Sequence, residues 1–492
     1  MAIPMSRLIV VSNRVAPAQE GRPAAGGLAI GVYDALKEAG GVWFGWNGEI
    51  GSEAGKPTIE TRGNVTYATV GLSRRDYDQY YRGFSNATLW PAFHYRNDLT
   101  RFDRADYEGY MRVNGMLARQ LQKLVRPDDL IWVHDYHLIP FGKACRELGM
   151  RNPIGFFLHI PFPAPEVLHT IPPYATLLKA LCSYDVVGFQ TDSDLQSFTD
   201  IVQREFGGQL LGNGMVQAFG HRFKAAAYPI GVYPDAVAKA AQQNASRKQV
   251  VGLRDNMRER KLIISVDRLD YSKGLAERLQ AFERLLLDSP SLAGHVSLMQ
   301  IAPPTRTDVQ NYQSIRKNLE AEAGRINGRF AQLDWTPILY LNRNYERNLL
   351  MALFRAAQVG CVTPLRDGMN LVAKEYVAAQ DPADPGVLVL SQFSGAADQL
   401  PGALIVNPFD LVQVADAMRR ALSMPLVDRQ QRHQAMMAVL RQNDLSVWRD
   451  SFMRDLREVV DRDDALTLRV MAQPSAFARP GVPVRLPAST LS

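Results

Sequence analysis

The chemistry this chain could carry is concentrated in two short segments, Asp267-Arg-Leu-Asp-Tyr-Ser-Lys-Gly274 and Leu365-Arg-Asp-Gly-Met-Asn-Leu-Val-Ala-Lys-Glu375. Arg268 and Lys273 share the first, so two cations could make charge-assisted contacts to one diphosphate. In the second, Gly368 allows a sharp turn and Asn370 could cap a following helix, whose first amides and positive dipole end would then face an anion. Asp367 could reach a sugar hydroxyl, and Glu375, further along the helix, could accept from a ribose. Basic loops and Asp-Gly turns are common on protein surfaces, so the weight of these residues depends on the elements that hold them.

Both segments follow apolar runs with the character of buried parallel strands, 262–266 before the first and 359–363 before the second. Both lead into helical spacing, from Leu275 and from Asn370. Strand, turn and helix in that order place the turn at the sheet edge where α/β proteins bind ligands. The arrangement recurs. A strand over 5–12 leads to Asn13 and Arg14, one over 130–134 to Asp135 and His137, one over 154–158 to His159 in a proline-fixed loop, and one over 297–302 to Arg306. Gly26-Gly27 opens a helical stretch over 28–39, although a glycine pair without GxGxxG spacing is more often a flexible turn than a phosphate cradle. Tyr80-Tyr81 and Leu89-Trp-Pro-Ala-Phe-His94 fall where loops are expected, and rings above a parallel sheet offer sugars a flat face. His134, Asp135 and His137 match no recognised metal spacing, and Asp192-Ser-Asp194 reads as a helix N-cap with acidic first-turn residues.

Alternation of strand and helix predicts an α/β chain, and 492 residues predict two doubly wound, Rossmann-like domains facing each other across a cleft. A polar stretch rich in glutamine and arginine begins near 234, dividing an amino-terminal domain over 1–233 from a carboxyl-terminal one over 234–446. Helical spacing over 411–443 breaks at Pro425, a further helix spans 447–460, and the Pro, Ala and Ser of 465–492 predict a mobile tail. A formal charge of +6 without a basic run interleaved with aromatics argues against nucleic acid and suits phosphorylated small molecules. Cys145, Cys182 and Cys361 form neither a CxxC pair nor a disulfide framework, no secretory pattern is seen, and no apolar run reaches membrane-spanning length. A cytoplasmic protein without a membrane partner is expected, in a homo-oligomeric state.

Together with Ser12-Asn-Arg14, Trp90-Pro-Ala-Phe-His-Tyr95, Val133-His-Asp-Tyr-His137 and His159-Ile-Pro-Phe-Pro163, the two opening segments closely resemble bacterial trehalose-6-phosphate synthases from about Met5 to about Val460. The resemblance implies a glycosyltransferase-B fold, with an acceptor-binding first domain, a donor-binding second domain, and the helix over 447–460 crossing back to complete the first. It implies transfer of glucose from UDP-glucose to glucose 6-phosphate, giving α,α-trehalose 6-phosphate and UDP, with no cofactor and no metal. Carried onto this sequence, it assigns the donor diphosphate to Arg268 and Lys273 with the amides around Leu371 and Val372, and the ribose to Glu375. Asp367, Gly368, Met369 and Asn370 would hold the glucosyl hydroxyls, Ala373 and Lys374 belong to the same donor segment, and Tyr345 lies near the uracil. His159 would face the sugar, and Gly26 and Gly27 would close over it from the other domain. Glucose 6-phosphate falls to Arg14, Tyr81, Asp135 and Arg306, with Trp43 and Trp90 shaping the pocket. His159, Arg268, Lys273 and Asp367 are the residues expected to act on the reaction. Tyr345 departs from the family pattern, which has phenylalanine there, and neither 207–223 nor the tail shows any resemblance.

Family members retain the anomeric configuration without an obvious protein nucleophile, and no carboxylate pair here stands out as in a retaining glycosidase. Front-face attack is implied, with the departing phosphate oxygen helping to accept the acceptor's proton. Two alternatives stay open. One is a sister transferase with another phosphorylated acceptor, making glucosylglycerol phosphate or a pseudo-disaccharide phosphate. The other is a silent relative that only binds sugar phosphate and partners, against which the presence of Arg268, Lys273, Asp367 and His159 weighs. UDP, ADP and GDP all remain open as the donor nucleotide.

Overall fold

The computed structural model describes residues 6–15, 33, 36–37, 40–51, 57–257, 260–305 and 310–472. Gly26, Gly27, Arg306, most of the helical stretch expected over 28–39 and residues 473–492 lie outside them.

The first sheet contains β1 (Leu8–Arg14), β2 (Gly41–Gly51), β3 (Thr58–Arg62), β4 (Val65–Ser73), β5 (Leu130–His134), β6 (Ile154–Phe157), β7 (Val186–Phe189), β8 (Gln209–Gly212), β9 (Met215–Ala218) and β10 (His221–Ala227). They pair in the order β3-β4-β2-β1-β5-β6-β7-β10-β9-β8. The strands from β4 to β10 in that order run parallel, while β3 and the β8–β9 pair add antiparallel edges. The second sheet contains β11 (Lys261–Val266), β12 (Val296–Ile301), β13 (Ile338–Leu341), β14 (Val359–Val362), β15 (Val387–Ser391) and β16 (Leu404–Val406), all parallel, in the order β13-β12-β11-β14-β15-β16. Val10 and Val11, Ile131 and Trp132, and Ile263 and Ile264 are each buried on opposite sides of their sheets. Helices cover both faces, which is why these strands read as continuous apolar runs rather than as alternation.

Among the parallel strands of each sheet the order reverses once, beside β1 and β5 in the first and beside β11 and β14 in the second. The loops flanking such a reversal leave in opposite directions and open a crevice at the carboxyl ends of the strands. Arg14 and Asp135 stand at the first reversal, and the Arg268–Lys273 loop and the Asp367 turn at the second.

The last helix, Leu445–Ala472, returns to the first sheet. Phe452 is wholly buried over β6 and β7, and a Cβ on Gly155 or Gly188 would come within 2.6 or 2.9 Å of its ring, so glycine at both positions makes the room. Tyr228 donates to Asp455 at 2.6 Å, and Lys224 pairs with the same carboxylate at 2.7 Å. The helix continues past 460, so the first residues of the stretch expected as a mobile tail are helical.

Several local expectations change. The aromatic run expected in loops is helical over Arg74–Asp76, a π-helical Tyr77–Leu89, and Trp90–Phe93. Tyr77, Tyr80, Phe84 and Trp90 are buried there, so these rings serve core packing. Residues 207–223, left without an assignment, carry the antiparallel strands β8 and β9 and the start of β10. The strand β10 ends at Ala227, before Pro229. The cap of Asp192–Phe206 is Thr191, whose hydroxyl accepts from the Asp194 amide at 3.1 Å.

Candidate active site

At the reversal of the second sheet, the Lys273 ammonium lies 2.5 Å from Asp367 Oδ2. The same oxygen accepts from Asn370 Nδ2 at 3.0 Å, while Oδ1 accepts from the Gly368 amide at 3.1 Å. Burial by itself would raise the Asp367 pKa, but the Lys273 charge and hydrogen bond, helped by His94 and Arg268, outweigh it and hold the group below its ordinary 3.8. Asn370, at φ 70°, caps the helix Leu371–Ala379 by accepting from the Ala373 amide at 3.2 Å. The amides of Leu371 and Val372 lie in its first turn, where no intrahelical carbonyl can satisfy them. Arg268 is exposed, with its guanidinium 5.5 Å from the Trp90 ring.

The residues around this turn otherwise face inward. Lys374 is wholly buried and donates to the Ile230 carbonyl at 2.6 Å and to Gln399 Oε1 at 2.5 Å, and burial lowers its pKa to about 7. Its ammonium is therefore taken up by these two acceptors. Glu375 pairs with Arg347 at 2.7 Å, and burial raises its pKa against the pull of that arginine. Met369 is buried, its carbonyl accepting from Ser394 Oγ at 2.8 Å and the Ala396 amide at 2.9 Å. Tyr345 accepts from Arg343 Nε at 2.7 Å.

Arg278 is a supporting residue that sequence reasoning missed. It is wholly buried on Leu275–Asp288, 3.1 Å from Asp267, and donates to Thr363 Oγ1 at 3.1 Å, Gln300 Oε1 at 2.9 Å and the Lys273 carbonyl at 3.0 Å. It thereby ties the ends of three strands to the loop carrying Lys273. The available signal was an arginine standing in the apolar stripe of Leu275, Leu279 and Phe282.

At the reversal of the first sheet, Arg14 is exposed, its guanidinium 5.9 Å from the Trp46 ring. Tyr81 stacks on His137 at 5.8 Å with an interplanar angle of 9°. Trp43 is buried, donating to Ser12 Oγ at 2.8 Å, so it braces the end of β1 from inside the core. Asp135 adopts φ 78°, a sparsely populated conformation for a residue with a side chain, and Oδ1 accepts from the His159 amide at 3.3 Å. His159 Nε2 lies 3.0 Å from His134 Nδ1. Burial lowers the pKa of both rings, that of His159 to about 3, so both are neutral. Among the described residues no group of three or more His, Cys, Asp or Glu is arranged to hold a metal.

The two crevices face each other. A Cβ on Gly368 would fall 2.1 Å from the His159 carbonyl oxygen, so the Asp367 turn abuts the His159 loop with no space for a larger residue. Arg366 stacks on Tyr95 at 3.7 Å, Arg96 lies 5.5 Å from the Tyr271 ring, and Trp90 Nε1 approaches Asp270 Oδ1 at 3.4 Å. His159, Asp367, Lys273 and Arg268 thus border one cleft, which can hold an anionic group at the helix start and a sugar beside it.

Residues 6–458 match the family model described as Glycosyltransferase family 20. The chain belongs to that family. Its two facing Rossmann-like units form the glycosyltransferase-B fold of this family-20 chain's structural neighbours. A trehalose-6-phosphate synthase of Enterobacter sp. (strain 638) is 54% identical over 458 residues, spanning 93% of this chain and 96% of that protein. A crystal structure of a UDP-forming α,α-trehalose-phosphate synthase from Burkholderia xenovorans is 71% identical, with a TM-score of 0.90 over 93% of this chain and 100% of that one. A second such synthase from that organism, solved in complex with glucose 6-phosphate, is 63% identical, with a TM-score of 0.89 over 92% and 100% of the two chains.

Proposed function

We propose that this family-20 chain moves glucose from UDP-glucose to glucose 6-phosphate with retention of configuration, releasing α,α-trehalose 6-phosphate and UDP. The similar proteins are UDP-forming trehalose-phosphate synthases, one of them solved with glucose 6-phosphate. Product and acceptor differ by one glucosyl unit, so the donor that leaves UDP is UDP-glucose.

The observation that carries the reading is the Lys273–Asp367 pair at the capped start of Leu371–Ala379. An anion received there meets Arg268, Lys273 and the first helix amides, while Asp367 is ionised and can accept from sugar hydroxyls. In the reaction the bond from the glucosyl anomeric carbon to the phosphate oxygen breaks as the acceptor oxygen approaches the same face, and the acceptor's proton passes to the departing phosphate. Cations and amides fixed at the developing charge stabilise it without reorganising. They supply what a divalent ion otherwise would, so turnover without a metal is part of this reading. Arg14, Tyr81, Asp135 and Arg306 would receive glucose 6-phosphate, placing acceptor binding in 1–233, completed by the last helix, and donor binding in 234–446. Three buried free cysteines suit the reducing cytoplasm, and a homo-oligomer remains the proposed state.

The test is nucleotide release from a panel of UDP-, ADP- and GDP-sugars, with and without glucose 6-phosphate. UDP release from UDP-glucose that requires glucose 6-phosphate supports the reading. Equal release with glycerol phosphate in its place would favour a sister transferase.

A further inference from the structure

Beyond the residues placed at the cleft, the buried ring of His134 bears on what His159 can do. His134 ends β5 and His159 follows β6, and their rings meet through Nδ1 of the first and Nε2 of the second at 3.0 Å. Both rings are neutral, so one nitrogen of this contact carries the shared proton and the other accepts it. The direction of that hydrogen bond fixes the tautomer of both.

His134 Nε2 is buried with no hydrogen-bonding partner among the described residues. It packs beside the indoles of Trp132 and Trp448, ring centroids 4.5 and 6.3 Å away, whose own N–H groups are likewise buried without an acceptor among the described residues. Were His159 the donor, His134 would carry its proton on Nε2, adding a third stranded N–H to a neighbourhood that already holds two. Were His134 the donor, Nε2 would be a bare acceptor and no third N–H would be stranded. Stranded buried N–H groups are the rarer and costlier case, so the second arrangement prevails. His159 then carries its own proton on Nδ1. His159 is half-buried, its carbonyl lies against the Asp367 turn at Gly368, and Nε2 is taken up by His134, so Nδ1 is the ring nitrogen left for a ligand in the cleft.

We propose that His134 is a positioning residue: by donating from Nδ1 it holds His159 in the Nδ1–H tautomer, so that His159 presents a hydrogen-bond donor, and not a base, to an oxygen of the bound sugar nucleotide. The ligand class rests on the function proposed above, whereas the tautomer does not.

The chain has eight histidines, so histidine-selective nitrogen-15 labelling, with His159 identified by loss of its signals in His159→Gln, gives a tractable spectrum. In the native protein without ligand, His159 Nδ1 is expected at the shift of a protonated nitrogen and Nε2 at that of a bare one. The reverse pattern overturns the proposal whatever the substrate proves to be. His134→Asn, whose amide can donate from nearly the place of Nδ1, should keep the native tautomer. His134→Phe should return His159 to the Nε2–H form that neutral histidine ordinarily prefers, and lower kcat/KM for the nucleotide sugar by about tenfold. A native tautomer persisting in His134→Phe would show that His134 does not set it. Where His134→Phe fails to fold, the native spectrum alone decides. Should the spectrum be as expected while no nucleotide sugar turns over, the proposed function fails and the tautomer assignment stands.

Discussion

The ammonium of Lys273 lies 2.5 Å from the carboxylate of Asp367, joining the loop after β11 to the turn after β14 across 94 residues of chain. The pair is mostly buried and sits where the second sheet reverses its strand order. A buried ion pair of this kind is often no more stabilising than a well-packed apolar one. Its consequence is a cation and an anion held in register at one helix start, for a ligand with both an anionic and a hydroxyl-bearing part.

Lys273→Ala should therefore affect both rate and acid response. A donor aimed at developing charge typically contributes a few kcal/mol, so kcat for Lys273→Ala, and likewise for Arg268→Ala, should fall at least about tenfold in steady-state assays. A change confined to KM would mean that these cations bind ground and transition states equally. Asp367 has its folded pKa held below 3.8, so its ionisation stabilises the fold above that value and the contribution disappears as pH falls through the folded pKa. Without Lys273, burial dominates and the pKa rises. The pH-dependent stability difference between native and variant, followed by denaturant unfolding, should be largest near neutrality, begin to shrink as pH falls through the variant's raised Asp367 pKa, and be lost once pH passes below the native one. A difference independent of pH would contradict the assigned cause.

Gly368→Ala probes the closeness of the two units. The new Cβ would meet the His159 carbonyl oxygen at 2.1 Å, and the turn must withdraw to relieve it. Misplacement of about 1 Å can cost on the order of a hundredfold in rate. Activity should fall by about that much while circular dichroism stays native. Full activity would show that the Asp367 turn and the His159 loop need not meet.

Much of this arrangement was legible in the sequence, and what escaped has a physical reason. Strand, turn and helix around Arg268, Lys273 and Asp367 could be read because parallel strands are continuous apolar runs and helix starts carry capping residues such as Asn370. The aromatic run near Tyr80 was misplaced in loops because a π-helical stretch departs from ordinary helical spacing. Arg278 escaped because a charged residue on a helix usually faces water, and only its partners from three strands show otherwise. The inward turn of Lys374 was equally hidden, since its acceptors, Ile230 and Gln399, are remote in sequence.

Phe452→Ala tests the last helix. Its ring fills the space left by Gly155 and Gly188, so truncation leaves a cavity between helix and sheet. Such a change typically costs about 3–5 kcal/mol. A fall of that size in unfolding free energy is expected, and a loss under about 1 kcal/mol would show that the helix is not held by this ring.

Arg306→Ala bears on the acceptor. Charged hydrogen bonds to phosphate contribute about 1.5–3 kcal/mol each, so the apparent affinity for glucose 6-phosphate should weaken about ten- to a hundredfold at similar affinity for UDP. Unphosphorylated glucose should be a poor acceptor for native and variant alike. Equal impairment with glucose and glucose 6-phosphate would assign Arg306 to the fold or the donor instead.

The most direct test of glucosyl transfer carried by side-chain cations is turnover of UDP-glucose and glucose 6-phosphate after exhaustive dialysis against a chelator, with the product's glycosidic linkage read by proton NMR. Unchanged UDP release and an α,α-linked disaccharide phosphate are predicted. Activity abolished by the chelator and restored by magnesium, or a β linkage in the product, would contradict the account.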